Sequence, residues 1–279
     1  MPEASEFGRL DAWRNTAGLS EAKAREQAAR LEHRGTAEDE AAARDEYLQL
    51  IGISPGERVL DIGCGSGVVT RAIAKRVAPH GRVVGADSSA ALLALAREYA
   101  DRTEFGPRIQ FHEADCRALP FPNESFDVSI AVTVLAHVPG AERALAEMVR
   151  VTRRGGRVGV FDLDGDGLLI GHPDRHLTRR IVAAHCDQRA VNGHLIREVP
   201  AIFEDLGLEC VQVKGFMPLE RKAGSFYADL ARRAGEGAVE TGAITEAERT
   251  KWLAELEAAI SAGRFIGGRL HLLVWGVRR

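Results

Sequence analysis

Cysteine is scarce in this sequence. There are four in 279 residues, Cys64, Cys116, Cys186 and Cys210, and no C-x-x-C pair. A chain of this length gains little from so few bridges, so a disulfide framework is excluded and reduced thiols in a cytoplasmic compartment are expected. Long apolar runs are missing as well. The longest, around Val128–Val138, is too short to span a bilayer, and no membrane association is expected. The opening residues MPEASEFGRLD carry acid and no apolar stretch, which speaks against a secretory signal. Neither charge is in large excess: 37 Lys and Arg stand against 40 Asp and Glu, a net charge of −3. No global basic field therefore draws in nucleic acid or an anionic membrane. What is present, 45% hydrophobic and 28% charged residues, is the composition of an ordinary globular protein of one or two domains.

Residues 1–57 read as an N-terminal helical arm or cap. Ser20, with Lys23 and Arg25 after it, marks one helix start. Thr36 followed by Asp39 fits a capping pattern and marks a second. The first of these helices has a weak apolar stripe and is expected to stay mobile or to act as a cap. The second is stopped by Gly52 and Pro55–Gly56. From Arg58 onward strands and helices alternate. Strands are expected at Val59–Ile62, Arg82–Ala86, Ile109–Phe111, Phe126–Val132 and Arg157–Leu163, with helices at Thr70–Val77, Ala90–Ala100 and Ala141–Val151. That rhythm implies βαβ units and a buried parallel sheet. After Asp164 it changes. Residues 165–194 are polar and read as a helical insertion. Leu195–Leu206 follows as a helix, Leu208–Phe216 as a strand, 218–262 as a mostly helical insertion and Arg269–Val277 as a last strand. Residues 58–279 are thus expected to form one α/β domain, decorated at about 165–194 and 218–262.

The sharpest chemical feature is Val59-Leu60-Asp61-Ile62-Gly63-Cys64-Gly65-Ser66-Gly67, an apolar strand running into a glycine turn and then a helix. Glycines let backbone approach a ligand closely, and the helix start offers unpaired amides. Asp87 closes the next strand about twenty residues on, the distance at which an acid can hold two ribose hydroxyls. A dinucleotide fingerprint wants its third glycine three residues after the second. That position is Val68, whereas here the third glycine is Gly67, with Asp61 in front.

This G-x-G-x-G pattern resembles motif I of the class I S-adenosylmethionine-dependent methyltransferases. Ala114-Asp115-Cys116, LPFPNESFD at 119–127 and RRGGRV at 153–158 follow in the family's order. The LPF…SFD segment is similar to the ubiquinone/menaquinone-biosynthesis group (methyltransferase type 11). The resemblance covers roughly residues 45–165. It implies a doubly wound, mostly parallel, seven-stranded Rossmann-like sheet, with S-adenosylmethionine as cofactor and a small-molecule acceptor. By that resemblance Gly63, Cys64, Gly65 and Gly67 would face the methionine part, and Asp61 would bond its amino group or support the loop. Asp87 would bind the ribose with Ser88 beside it. Asp115 would accept the adenine amino group with Cys116 adjacent, and Thr133 would lie under the sulfonium. Thr152 and Arg154 depart from the family's leucine and proline before the paired glycines, which bears only on the local turn.

His137 follows the fourth strand, at the carboxyl end of the sheet where ligands bind. It is the candidate base for a protonated acceptor, or it shapes the pocket. Asp162-Leu-Asp164-Gly-Asp166-Gly167 mimics the start of a calcium loop, but the twelfth position is Pro173 where glutamate is needed. The four histidines His172, His176, His185 and His194, with Asp174 and Asp187, match no metal spacing and read as a solvated polar face. No metal is expected. Arg175, Arg179, Arg180 and Arg189 form a basic cluster that either recognises an anionic acceptor or solvates a helix. Trp252, Leu253, Leu256 and Ile260 read as packing. Two functions compete with methyl transfer: a nicotinamide-dependent oxidoreductase on the same layered fold, and a non-catalytic S-adenosylmethionine-binding protein. A monomer or a homodimer is compatible with the sequence.

Overall fold

The computed structural model describes residues 13–189 and 191–279. Residues 1–12 of the expected arm lie outside the described residues. Two helices come first, α1 (Glu21–Thr36) and α2 (Glu38–Leu50). Ser20 caps α1 and accepts from the Lys23 amide. The expected Thr36 cap is not used. Only one residue separates the helices, Thr36 is the last residue of α1, and its hydroxyl donates to the His33 carbonyl at 2.9 Å. Ala37 opens α2 without a side-chain bond. Asp39 accepts instead from the Leu219 amide at 3.0 Å.

The core alternation follows as β1 (Arg58–Ile62), α3 (Val68–Val77), β2 (Arg82–Asp87), α4 (Ala90–Asp101), β3 (Ile109–Glu113), β4 (Phe126–Val132), α5 (Ala141–Val151) and β5 (Thr152–Ile170). After it come α6 (Arg175–Arg189), α7 (Val199–Asp205), β6 (Leu208–Phe216), β7 (Leu219–Glu220), α8 (Phe226–Glu240), α9 (Glu246–Ser261) and β8 (Gly267–Arg278). The sheet order is β3-β2-β1-β4-β5-β8-β6. The first five strands pair in parallel, and β8 runs antiparallel to both β5 and β6. The chain winds one way from β1 and the other way from β4, so a crevice opens beyond their carboxyl ends.

The seven expected strands are present, with an eighth of two residues. β7 pairs with Gly267 and Gly268. A Cβ on Gly268 would stand 2.5 Å from the Pro218 carbonyl oxygen, so glycine is what admits the extra strand. A larger departure lies in β5. Its Asp164-Gly165-Asp166-Gly167 stretch reads locally as a loop, and 165–194 was expected to be helical. The strand instead continues to Ile170 along β8, with a register irregularity between Leu163 and Leu168. Pairing with a long antiparallel partner overrides the local turn signal, and the irregularity absorbs the glycines. The expected helix Leu195–Leu206 is split into a short 3-10 turn, Leu195–Arg197, and α7, with Pro200 near the start of α7.

Both faces of the sheet are covered. Leu145, Met148 and Phe203 pack from one side on Leu60, Val158 and Val274. Tyr47, Leu48, Ile73 and Phe161 pack on the other with Val59 and Val128. A separate cluster joins the end of β5 to α6, α8 and α9 through Leu168, Ile181, Tyr227, Trp252 and Phe265. The helix expected to be mobile or a cap is docked: Ala24 and Ala28 of α1 are fully buried against Leu92 and Leu95 of α4.

Candidate functional site

Where β1 ends, Gly63, Gly65 and Gly67 all adopt positive φ (65°, 54° and 80°). At Gly63 a Cβ would collide with Val134 at 2.3 Å, and at Gly65 one would meet Leu31 of α1 at 2.7 Å. The bend is pinned by the Cys64 amide donating to the Ala86 carbonyl at 3.0 Å. The Gly65 amide also donates to Asp87 Oδ2 at 2.8 Å, and Asp87 Oδ1 accepts from the Ser89 amide at 2.9 Å. Asp87 is buried, and that burial raises its pKa against the pull of those amides. Asp61, also buried, accepts from the Thr70 hydroxyl at 2.6 Å. Burial pushes its pKa up to about 7, the Thr70 bond pulls it down and the neighbouring Asp87 adds to the rise.

These groups border one cavity of about 900 Å³. Of the residues singled out in the sequence, Asp61, Gly63, Cys64, Gly65, Asp87, Ser88, Asp115, Cys116, Thr133 and His137 all line it. Gly67 caps α3 behind that surface. Asp115 is half-exposed at the rim, where Arg117 bonds it at 2.7 Å and holds its pKa below the usual range. Cys64 and Cys116 stay protonated. Burial raises both, Cys116 to about 11, which fits small fillers and not nucleophiles. Thr133 has a positive φ of 54° at the tip of β4, and its hydroxyl accepts from Arg34 at 3.3 Å.

His137 sits on a 3-10 turn, Leu135–His137, at the cavity edge. The turn is held from beneath. Asp162 is buried in β5 and accepts from the Val134 and Ala136 amides at 3.1 and 3.2 Å. Asn192 donates to the Leu135 and Val138 carbonyls. Asp162 therefore supports this turn. Asp164 and Asp166, the other acids of the calcium-like stretch, are bonded by Arg197.

Several residues at or beside the cavity carry no local sequence signal. Thr16, before α1, bonds Ser88 at 2.9 Å through its hydroxyl. Glu32 of α1 accepts from Ser66 at 2.8 Å and pairs with Arg71 at 2.7 Å. Arg34 meets Glu40 at 3.1 Å, and the Tyr227 hydroxyl donates to the same carboxylate at 2.7 Å. Burial works against the charge on both Arg34 and Glu40. Each partner nonetheless holds the other ionised, Arg34 shifted upward and Glu40 downward. One signal was available in β8. Arg269 and His271 alternate with Leu270 and Leu272, which puts two polar side chains on one face of an otherwise apolar strand.

The expected solvated histidine face needs correction. His176 is exposed and His194 half-exposed. His172 instead stacks on Trp252 with ring centroids 4.9 Å apart, and His185 lines the cavity beside Arg269 at 2.6 Å. Ligand atoms of Asp166, Cys186 and His194 lie within 4.8 Å of one another, but Arg197 already pairs with Asp166 at 2.9 Å. In the basic cluster, Arg175, Arg179 and Arg180 face solvent and Arg180 pairs with Glu248 at 2.6 Å. The side chain of Arg189 lies outside the described ones.

Residues 59–156 match the methyltransferase-domain family. Over 120 residues the chain is 39% identical to the ubiquinone/menaquinone biosynthesis C-methyltransferase UbiE of Ectopseudomonas mendocina, a match covering 43% of this chain and 47% of that protein. Residues 59–156 thus carry a methyltransferase domain similar to that of UbiE. It is also 32% identical over 229 residues to an uncharacterized 37.1 kDa protein of a Streptomyces fradiae transposon, covering 82% of this chain and 66% of that protein. The chain thus spans between about half and two thirds of these relatives' lengths. The methyltransferase fold superposes on phosphoethanolamine N-methyltransferase 2 of Haemonchus contortus with a TM-score of 0.54 at 18% identity. That match covers 85% of this chain and 52% of that one, which was solved with phosphomonomethylethanolamine and S-adenosylhomocysteine.

The methyltransferase site fits its cofactor on its own terms. The buried carboxylate of Asp87 has two amide donors and borders the cavity, a suitable acceptor for ribose hydroxyls. At Gly63 and Gly65 the turn leaves no room for a side chain, as a backbone cradle requires.

Proposed function

We propose that this protein transfers the methyl group of S-adenosylmethionine to a small-molecule acceptor. The observation that carries the reading is convergence. Asp61, Asp87 and Asp115, from the ends of three neighbouring strands, border a single cavity together with the glycine bend and with Thr133 and His137. Its volume of about 900 Å³ suits a cofactor and an acceptor side by side. Asp87, with Ser88 beside it, holds the ribose. Gly63, Cys64, Gly65 and Gly67 shape the cradle of the methionine part, which Asp61 balances electrically. Asp115 and Cys116 border the adenine, and Thr133 lies at the sulfur side.

When bound, S-adenosylmethionine supplies a methyl group already activated by positive sulfur. The chain's own residues then position the acceptor, exclude water and move a proton only where the acceptor's nucleophile carries one. His137 is the group placed to take it, and Asp162 and Asn192 fix the turn that aims it. Helices α1 and α2 form the cap, and α6 and α8 the far wall. The free thiols suit a cytoplasmic setting, and the small net charge suits a protein that engages neither nucleic acid nor an anionic membrane. Among the described residues, no helix is long and apolar enough to cross a membrane.

Calorimetry tests the reading. S-adenosylmethionine is expected to bind in the micromolar range, and Asp87→Ala to weaken binding by about 2 kcal/mol or more through loss of a charged acceptor. Transfer of label from methyl-labelled donor to an acceptor then separates catalysis from mere binding. Absence of binding at millimolar cofactor rejects the proposal.

A further inference from the structure

The two walls of the cavity differ in charge. Its acids gather at the strand tips. The opposite wall is built from α1, α2, α8 and β8, and carries Arg34, Arg44, Arg233 and Arg269 with Glu40 as their acidic neighbour. Glu40 is committed to Arg34 and Tyr227. Arg269 has no carboxylate within 4 Å among the described residues. Its Nη2 meets His185 Nε2 at 2.6 Å, and its Nε is buried without any hydrogen-bond partner. Burial, with the nearby positive Arg34 adding to it, lowers its pKa to about 10, and it stays charged at neutral pH. The Nε of Arg44 is orphaned in the same way, while its Nη1 donates to the Gly35 carbonyl at 2.9 Å. A buried guanidinium without a counter-charge is costly, and an arriving anion removes that cost. Beside these cations the lining is apolar, with Phe161, Phe226 and Leu230. Arg233 lies over the Phe226 ring at 6.0 Å.

We propose that the acceptor is anionic, with a carboxylate or phosphate group seated on Arg269 and an apolar body against Phe161, Phe226 and Leu230. The proposal rests on the methyltransferase reading and names the class of acceptor that reading leaves open. Arg34 connects the two halves of the site. It reaches Thr133 at the strand tips with one nitrogen and His271, next to Arg269 on β8, with another at 3.2 Å. Burial, reinforced by Arg34, lowers the pKa of His271 to about 3. His271 is therefore neutral and leaves the anion-binding charge to the guanidiniums. The planar fork of an arginine suits the paired oxygens of either anion.

The test uses benzoate and inorganic phosphate as probes, titrated by calorimetry into protein saturated with S-adenosylhomocysteine. At least one probe is expected to bind, benzoate alone marking a carboxylate acceptor and phosphate alone a phosphorylated one. Arg269→Met is expected to weaken that binding about tenfold or more while leaving S-adenosylhomocysteine affinity unchanged. Arg269→Lys is expected to retain part of it. The melting temperature gives a second readout. Without ligand, Arg269→Met is expected to melt above the wild type, because an unpaired buried charge has gone; a merely structural Arg269 predicts a lower value. In the wild type, the binding probe is expected to raise the melting temperature more than chloride at equal ionic strength. Equal probe binding by wild type and Arg269→Met overturns the proposal, as does no binding of either probe to the loaded wild type. Failure of S-adenosylhomocysteine to bind rejects the methyltransferase reading instead, and probe binding that still depends on Arg269 then upholds the anion site by itself.

Discussion

Burial, with a single hydroxyl donor and a second carboxylate nearby, pushes the pKa of Asp61 up to about 7. Its folded pKa lies above the ordinary value of 3.8, so between about pH 4 and pH 7 the unfolded chain ionises first. Stability therefore falls as pH rises through that window and levels off above it. Asp61→Asn removes this dependence. The unfolding free energy of the wild type from urea titration is expected to drop relative to that of the variant between pH 5 and pH 8, by an amount on the order of 2 kcal/mol at about 1.4 kcal/mol per pKa unit. Parallel pH profiles for the two proteins count against the assignment. Much at this scale was legible in the sequence. The glycine bend and the acids at 61, 87 and 115 announce themselves because each sits at a strand end beside a turn. Arg34, Glu40 and Arg269 do not. Their roles arise from contacts between residues distant in sequence, 84 positions apart for Arg269 with His185 and 187 for Glu40 with Tyr227.

At the scale of elements, α1, α2 and α8 meet at the buried group of Arg34, Glu40 and Tyr227. Removing one member strands the others. Glu40→Gln leaves Arg34 without its carboxylate and is expected to cost about 3–5 kcal/mol in urea unfolding. Tyr227→Phe loses one bond to a charged acceptor and is expected to cost about 1.5–3 kcal/mol. A loss within about 0.5 kcal/mol for both would mean that water satisfies these groups and that the junction is not dry. The alternating strands and helices from β1 to α5 could be read directly, since apolar runs of strand length and helical periodicities are local. The length of β5 could not. Gly165 and Gly167 favour a turn in isolation, and only β8, a hundred residues later, keeps that segment extended. The second helix start was misplaced by one residue for a similar reason, because Thr36 had already been taken into α1.

For the molecule as a whole, α1 is both packed and functional. Its alanines bury against α4, while Glu32 and Arg34 reach the cradle and Thr133. A ligand held beneath it should stabilise the folded state and shield this helix together. S-adenosylhomocysteine at a hundred times its dissociation constant is expected to add about 2.7 kcal/mol to the unfolding free energy. Tryptic cleavage within α1, at Arg25 or Arg30, is expected to slow in parallel. A thermal gain without slower cleavage would show that α1 does not cover the occupied site. The sequence indicated a helical arm or cap ahead of the sheet, but not the helix it packs on, since an alanine-rich surface reveals its partner only once α4 is in place.

The nineteen-residue β5 belongs to two packing clusters at once, through Val158 and Val160 at one end and Leu168 at the other. One continuous strip of backbone therefore ties the strand tips on the donor side to the packing of α6, α8 and α9 on the far side. Its pairing with β8 is irregular only between Leu163 and Leu168, so any give between the two sides is confined to that short glycine-bearing stretch.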